Sequence, residues 1–257
     1  MMNATLSTGR LVCVLACCGA LLLAGVVQTA SATGITDDYL LSQLLGPSPE
    51  VPEIVIGNKR FFNFRAYSSV GDNPVNEADI LVSVHPDPPA GEVGLLFRSE
   101  SFSVIDGETQ DTHFEFDVQM IGPGWLSDNT LDFVAMAIGP GAEAGIIETV
   151  MDDFDFGLAS KQVMVTGDGI NIISDHQDFP PPGASLIHVA KDVRLMVREE
   201  NGETGIPASV GQSFAEISSF SQTFSMYMAP EPESLGLSLT GLMCLLGVRT
   251  ARRRRRN

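Results

Sequence analysis

The chain has 257 residues, a formal net charge of −17 and four cysteines, a length that holds one ordinary domain with its own core. Residues 33–229 carry 30 acidic against 8 basic side chains, a net of −22, which excludes nucleic acid and anionic surfaces as partners of this part. Cys13, Cys17, Cys18 and Cys244 all lie in the two apolar ends, so the middle has no disulfide, no thiol nucleophile and no thiolate metal site.

Residues 1–32 read as a secretory signal peptide. Arg10 supplies the positive charge, an apolar run extends from Leu11 to Val27, and Ala30-Ser31-Ala32 offers a small-x-small cleavage site at Ala30 and Ala32. The run is 17 residues, short of the roughly 20 that a membrane-spanning helix needs. A lipoprotein reading through Cys17 and Cys18 fails on the residues before them, Val14-Leu15-Ala16. Residues 33–53 form a lead-in. Thr36 as N-cap, with Leu40, Leu41, Leu44 and Leu45 at helical spacing, predicts a short helix or a mobile stretch. Gly46-Pro47-Ser48-Pro49 breaks it.

From Ile54 the hydrophobic period is two. Phe62 and Phe64, then Ile80, Val82 and Val84, then Phe114, Phe116, Val118 and Met120 alternate with polar neighbours. Phe133 to Ala137, Val163 to Ile172, Leu186 to Val197 and Phe220 to Met228 continue the pattern. Turn chemistry separates these runs at Gly71-Asp72-Asn73-Pro74, Asp106-Gly107, Gly122-Pro123-Gly124, Gly139-Pro140-Gly141, Gly167-Asp168-Gly169, Pro180 to Gly183 and Asn201-Gly202. Short strands without long helices between them predict an all-β, antiparallel two-sheet sandwich over 54–228, jelly-roll-like rather than a closed barrel.

No catalytic signature occurs in this middle. Its histidines, His85, His113, His176 and His188, show no metal-ligand spacing. His113 reads as a surface strand residue. His176, in the loop-like Ser174-Asp175-His176-Gln177-Asp178, is the most site-like of the four. No cofactor is expected, and structural calcium is the one ion that suits the acidic turns at Asp106 to Asp111, Asp152 to Asp155 and Asp168. A glycosidase would need two carboxylates close in space. A carbohydrate-binding face would need exposed rings around Trp125 or Tyr67, the former being the single tryptophan.

The C-terminus, residues 229–257, is tripartite. Pro230-Glu231-Pro232 precedes an apolar stretch from Leu235 to Val248, and the chain ends with Arg249, Arg252, Arg253, Arg254, Arg255 and Arg256. The arginines act as a stop-transfer signal that holds the end on the cytoplasmic side. The apolar stretch spans roughly 21 Å as a helix, against a hydrocarbon core of about 30 Å, which suits a transient transmembrane helix. This arrangement resembles the PEP-CTERM sorting signal, although Ala229 stands where many relatives have Val. The resemblance implies recognition by an exosortase, a multi-pass membrane peptidase, with cleavage near Pro230, Glu231 and Pro232. It also implies transfer from the inner membrane to the cell surface or to an exopolysaccharide or biofilm matrix. Ile56 to Phe64, Val189 to Val193 and Ser221 to Ser225 are similar to pieces of the extracellular β-domains that precede such tails; this implies a β-sandwich without assigned catalysis. The expected role is structural or interactive, with polysaccharide binding the alternative and a carbohydrate-active enzyme behind it.

Overall fold

Period-two alternation becomes strands in the computed structural model of the chain, which describes residues 38–46, 52–198 and 212–228. In chain order these are β1 (Tyr39–Leu40), β2 (Ile54–Ile56), β3 (Lys59–Gly71), β4 (Leu81–Val84), β5 (Val93–Arg98), β6 (Ser103–Ile105) and β7 (Thr109–Met120). There follow β8 (Trp125–Ile138), β9 (Ala142–Asp152), β10 (Gly157–Thr166), β11 (Asn171–Ile172), β12 (Ser174–Asp178), β13 (Leu186–Val197) and β14 (Phe214–Tyr227). The first sheet has the order β1-β4-β5-β14-β8-β12, with β6 pairing β14 beyond β5. The second has the order β11-β10-β9-β13-β7-β3-β2. Every strand pairing is antiparallel, so the expected all-β, two-sheet sandwich is the observed architecture. The signal helix at 1–32 and the transmembrane helix of the tail, with Ala30, Ala32, Pro230 to Pro232 and the terminal arginines, lie outside the described residues. Among the described residues, no helix is long and apolar enough to cross a membrane.

The core lies between the sheets. Phe97 and Phe220 of the first sheet stack at 4.9 Å between centroids, and Phe97 reaches across to Phe114 and Phe116 of the second at 5.2 and 5.9 Å. All four rings are at most 1% exposed. Burying a ring of this size is worth about 1.5–3 kcal/mol, so this cluster fixes which faces of the two sheets meet.

The lead-in is partly built into the sandwich. Tyr39–Leu40 pairs with β4, and the helix shrinks to one turn, α1 (Leu41–Leu44), whose Leu41 and Leu44 are fully buried. Four residues cannot sustain a helix by themselves; packing holds this turn. Among the described residues the turns fall where Gly and Pro place them, while Asn201-Gly202 and Pro47-Ser48-Pro49 lie outside those residues; Ser174 to Asp178, expected as a loop, is strand β12 because it pairs residue for residue with β8 at Asp128 to Asp132.

Candidate binding face

Antiparallel partners share a face, so residues far apart in the chain line up on the outside of the second sheet. Across β3, β7 and β13 the rows read Phe62–Asp117–His188, Arg65–Glu115–Ala190 and Ser68–His113–Asp192. Asp117 is the centre. It is 3% exposed and accepts from Arg65 Nη1 and His188 Nδ1 at 2.7 Å on Oδ1, and from Asn63 Nδ2 at 2.7 Å on Oδ2. Arg65 Nε continues to Glu115 Oε2 at 2.9 Å, and Glu115 Oε1 faces His113 Nε2 at 3.4 Å. His113 Nδ1 closes the chain on Asp192 Oδ1 at 2.7 Å. Burial opposes a charge on His113, but the hydrogen bonds to Asp192 and Glu115 outweigh it and its pKa is raised. At one edge the Arg60 guanidinium sits 4.3 Å from the centre of the Phe62 ring. The result is a strip of fixed donors and acceptors on the outer face of the sheet, with one ring beside it.

Backbone irregularity makes this strip. β3 slips register between Phe62 and Arg65 and again between Arg65 and Ser68. Asn63 and Ala66 both sit at φ 54, in the left-handed region. The first bulge turns Asn63 outward beside Arg65, so two adjacent donors reach one carboxylate.

The interior holds a second polar constellation. Glu148 (β9), Lys161 (β10) and Lys191 (β13) point inward from the second sheet, and Asn129 (β8) and Gln222 (β14) meet them from the first; none is more than 2% exposed. Glu148 Oε1 takes Asn129 Nδ2 at 2.6 Å and Gln222 Nε2 at 3.1 Å, and lies 2.8 Å from Lys161 Nζ. Lys191 Nζ bonds Glu148 Oε2 and Gln222 Oε1. Beyond this contact with Glu148, Lys161 Nζ has no hydrogen-bond partner, and Asn129 Oδ1 has none. Burial pushes both lysines down, Lys191 to about 8, against the attraction of Glu148. Burial alone would raise Glu148; the two ammonium groups outweigh it and its pKa is lowered.

The other expected positions are accounted for as follows. His176 pairs across from Thr130, whose Oγ1 lies 2.9 Å from Nδ1, and its Nε2 stands 3.6 Å from Asp178 Oδ1 beside Asp128. These three are the one group among the described residues with the spacing to hold a cation. The acidic turns use their carboxylates locally: Asp152 caps the amides of Phe154 and Phe156, and Asp106 takes the amide of Ser213. Tyr67 is not an exposed ring; its hydroxyl donates to Val75 O at 2.6 Å. Half-buried Trp125 instead neighbours Tyr227, 59% exposed, across β8 and β14. The Asp117 strip escaped sequence reading because its members are 52 and 71 residues apart. The interior cluster did leave a signal: Glu148, Lys161 and Lys191 each occupy the apolar phase of an alternating strand.

No family model matches the chain, and no curated protein does. Among solved structures it is similar to a carbohydrate-binding module in complex with β-1,4-galactotriose, at 11% identity and TM-score 0.25, over 63% of this chain and 88% of that one. A xylan-binding domain from Paenibacillus barcinonensis Xyn10C shows 10% identity and TM-score 0.22, over 64% and 87%. The bacteriophage CBA120 tailspike protein 4 shows 13% and 0.24, over 63% of this chain but 19% of the tailspike. Scores this low carry no argument about what this chain binds.

Proposed function

We propose that the chain is an exported surface or matrix protein whose sandwich, jelly-roll-like in build, holds neutral polysaccharide without transforming it. The observation that carries this reading is the Asp117 strip on the outer face of the sheet. A polymer of sugars presents rows of hydroxyls that both donate and accept. Carboxylates, guanidinium and imidazole groups already locked to one another meet such hydroxyls with little ordering cost. The outer face of a sheet suits an extended chain better than an enclosed small molecule. Phe62 on this face and the Trp125–Tyr227 pair at one end of the first sheet add rings on which sugars can rest. With a net charge of −22 over residues 33–229, an anionic polymer would be repelled, so the ligand is neutral. Delivery follows from the ends: export through residues 1–32, a transient stay in the inner membrane through 235–248, and removal of the tail by an exosortase-type peptidase.

Affinity electrophoresis against a panel of neutral polysaccharides, with alginate as the anionic control, tests the binding role. At least one neutral polymer should retard the protein. Arg65→Ala and His188→Ala should each weaken that retardation at least about tenfold, the scale of one or more charged hydrogen bonds, while leaving the circular dichroism unchanged. Retardation by none of the neutral polymers, or retardation indifferent to both substitutions, would sink the proposal.

A further inference from the structure

The middle of this chain has no cysteine with which to staple its two sheets, yet its core brings together an amine, a carboxamide and a carboxylate. Lys161 lies on β10 of the second sheet and Asn129 on β8 of the first. Both meet the same oxygen, Glu148 Oε1, at 2.8 and 2.6 Å. All three side chains are at least 98% buried, and beyond those contacts two of their atoms, Lys161 Nζ and Asn129 Oδ1, have no hydrogen-bond partner. We infer that Lys161 and Asn129 condense into an intramolecular isopeptide bond, with Glu148 carrying the proton.

The chemistry balances without any co-reactant. Lys161 passes a proton to Glu148 and becomes a free amine. Its Nζ attacks Asn129 Cγ, and the unpartnered Oδ1 takes the developing negative charge. Glu148 then returns the proton to Nδ2 as the Cγ–Nδ2 bond breaks, and its carboxylate takes the second proton from Nζ, so ammonia leaves and Glu148 ends as the neutral acid. A primary amide and an amine become a secondary amide and one ammonia. Burial lowers Lys161 and eases the loss of its proton, against the pull of the neighbouring ammonium groups, which favour Glu148 as a carboxylate. Holding the groups in one fixed arrangement supplies the entropic advantage that such a sluggish acyl transfer needs. The same core excludes the alternative pairing. Lys191 is held by two hydrogen bonds, to Glu148 Oε2 and Gln222 Oε1, and Gln222 is bonded at both ends of its amide. The inference stands apart from the polysaccharide reading, since none of its residues lies on the binding face.

The test is tryptic mapping of the full chain by mass spectrometry. A bond at Lys161 blocks cleavage there, so the fragment 99–191 should appear with an internal ring, lighter than its sequence mass by one ammonia. Lys161→Arg, which keeps the charge, and Glu148→Ala should each yield fragments of unmodified mass. If Glu148→Ala does not fold, refolding the unmodified wild-type chain from denaturant in buffer alone gives the second arm, with the ammonia loss growing in over time. Recovery of fragment 99–161 at its full sequence mass from folded wild-type protein, or a link through Lys191, would overturn the inference.

Discussion

At the scale of single residues, the interior of this protein is governed by charge as much as by phenylalanine. Removing one partner from a buried ion cluster leaves an uncompensated charge and costs about 3–5 kcal/mol, so Glu148 is as important to folding as any ring beside it. Lys59, 1% exposed, is pushed down to about 8 by burial against the pull of Asp128 and Glu92, and Lys191 is also near 8. Both stand below the 10.5 of an unhindered lysine. Between those values the unfolded chain holds more protons than the folded one, so these residues make stability rise with pH. Tyr67 acts in the opposite sense: burial lifts it from 10.0 to about 12. Its stabilising contribution is complete below pH 10 and is lost as pH climbs toward 12. Urea midpoints taken from pH 7 to 11 should therefore climb from about pH 8 and level off between about 10.5 and 11, and Lys59→Met should flatten the climb. A midpoint that falls steadily from pH 8 would contradict this reading of the core.

At the scale of elements, β3 shows how local strain and long-range pairing cooperate. Its bulges leave the Phe64 backbone out of the ladder with β7, and the freed Phe64 carbonyl accepts the amide of Gly46 at 3.1 Å, which ties the lead-in to the sheet. Left-handed backbone costs a residue with a Cβ roughly 1–2 kcal/mol. Asn63 offsets this through Asp117, whereas exposed Ala66 has only its neighbours to hold it. Ala66→Gly should therefore be neutral or stabilising by up to about 1 kcal/mol, and Ala66→Val should destabilise by about 1–3 kcal/mol. Equilibrium urea unfolding reads both, and equal effects from the two would remove strain as the explanation. Strands such as β7 and β13 were legible in the sequence because one face of each is apolar at every second residue. The bulges were not, because register is set by partners such as Asp117 that lie dozens of residues away. β12 was missed for a related reason: Ser174 to Asp178 has no apolar phase, and only its pairing with β8 makes it a strand.

At the scale of the whole molecule, the sheets end in short strands: β1 and β11 have two residues, β2 three and β12 five. Each short strand offers a partner little backbone of its own, and the acidic surface adds repulsion between copies where the longer strands behind them lie uncovered. The sorting reading makes its own prediction at this scale. Protein taken from the native host should begin at Thr33 and end near Pro230, without the arginine tail, when both termini are read by mass spectrometry. A chain still ending at Asn257 in the membrane fraction would make it a permanently anchored surface protein instead.

The chain has only three lysines, Lys59, Lys161 and Lys191, and none is more than 2% exposed. An acylating dye added to the folded protein therefore meets no ε-amine at all, and colour would enter only at the α-amine. Crosslinkers and aldehyde fixatives, which depend on those same groups, would pass the folded protein by. The folded protein would be visible to antibodies or to mass, and nearly invisible to chemistry that reaches for lysine.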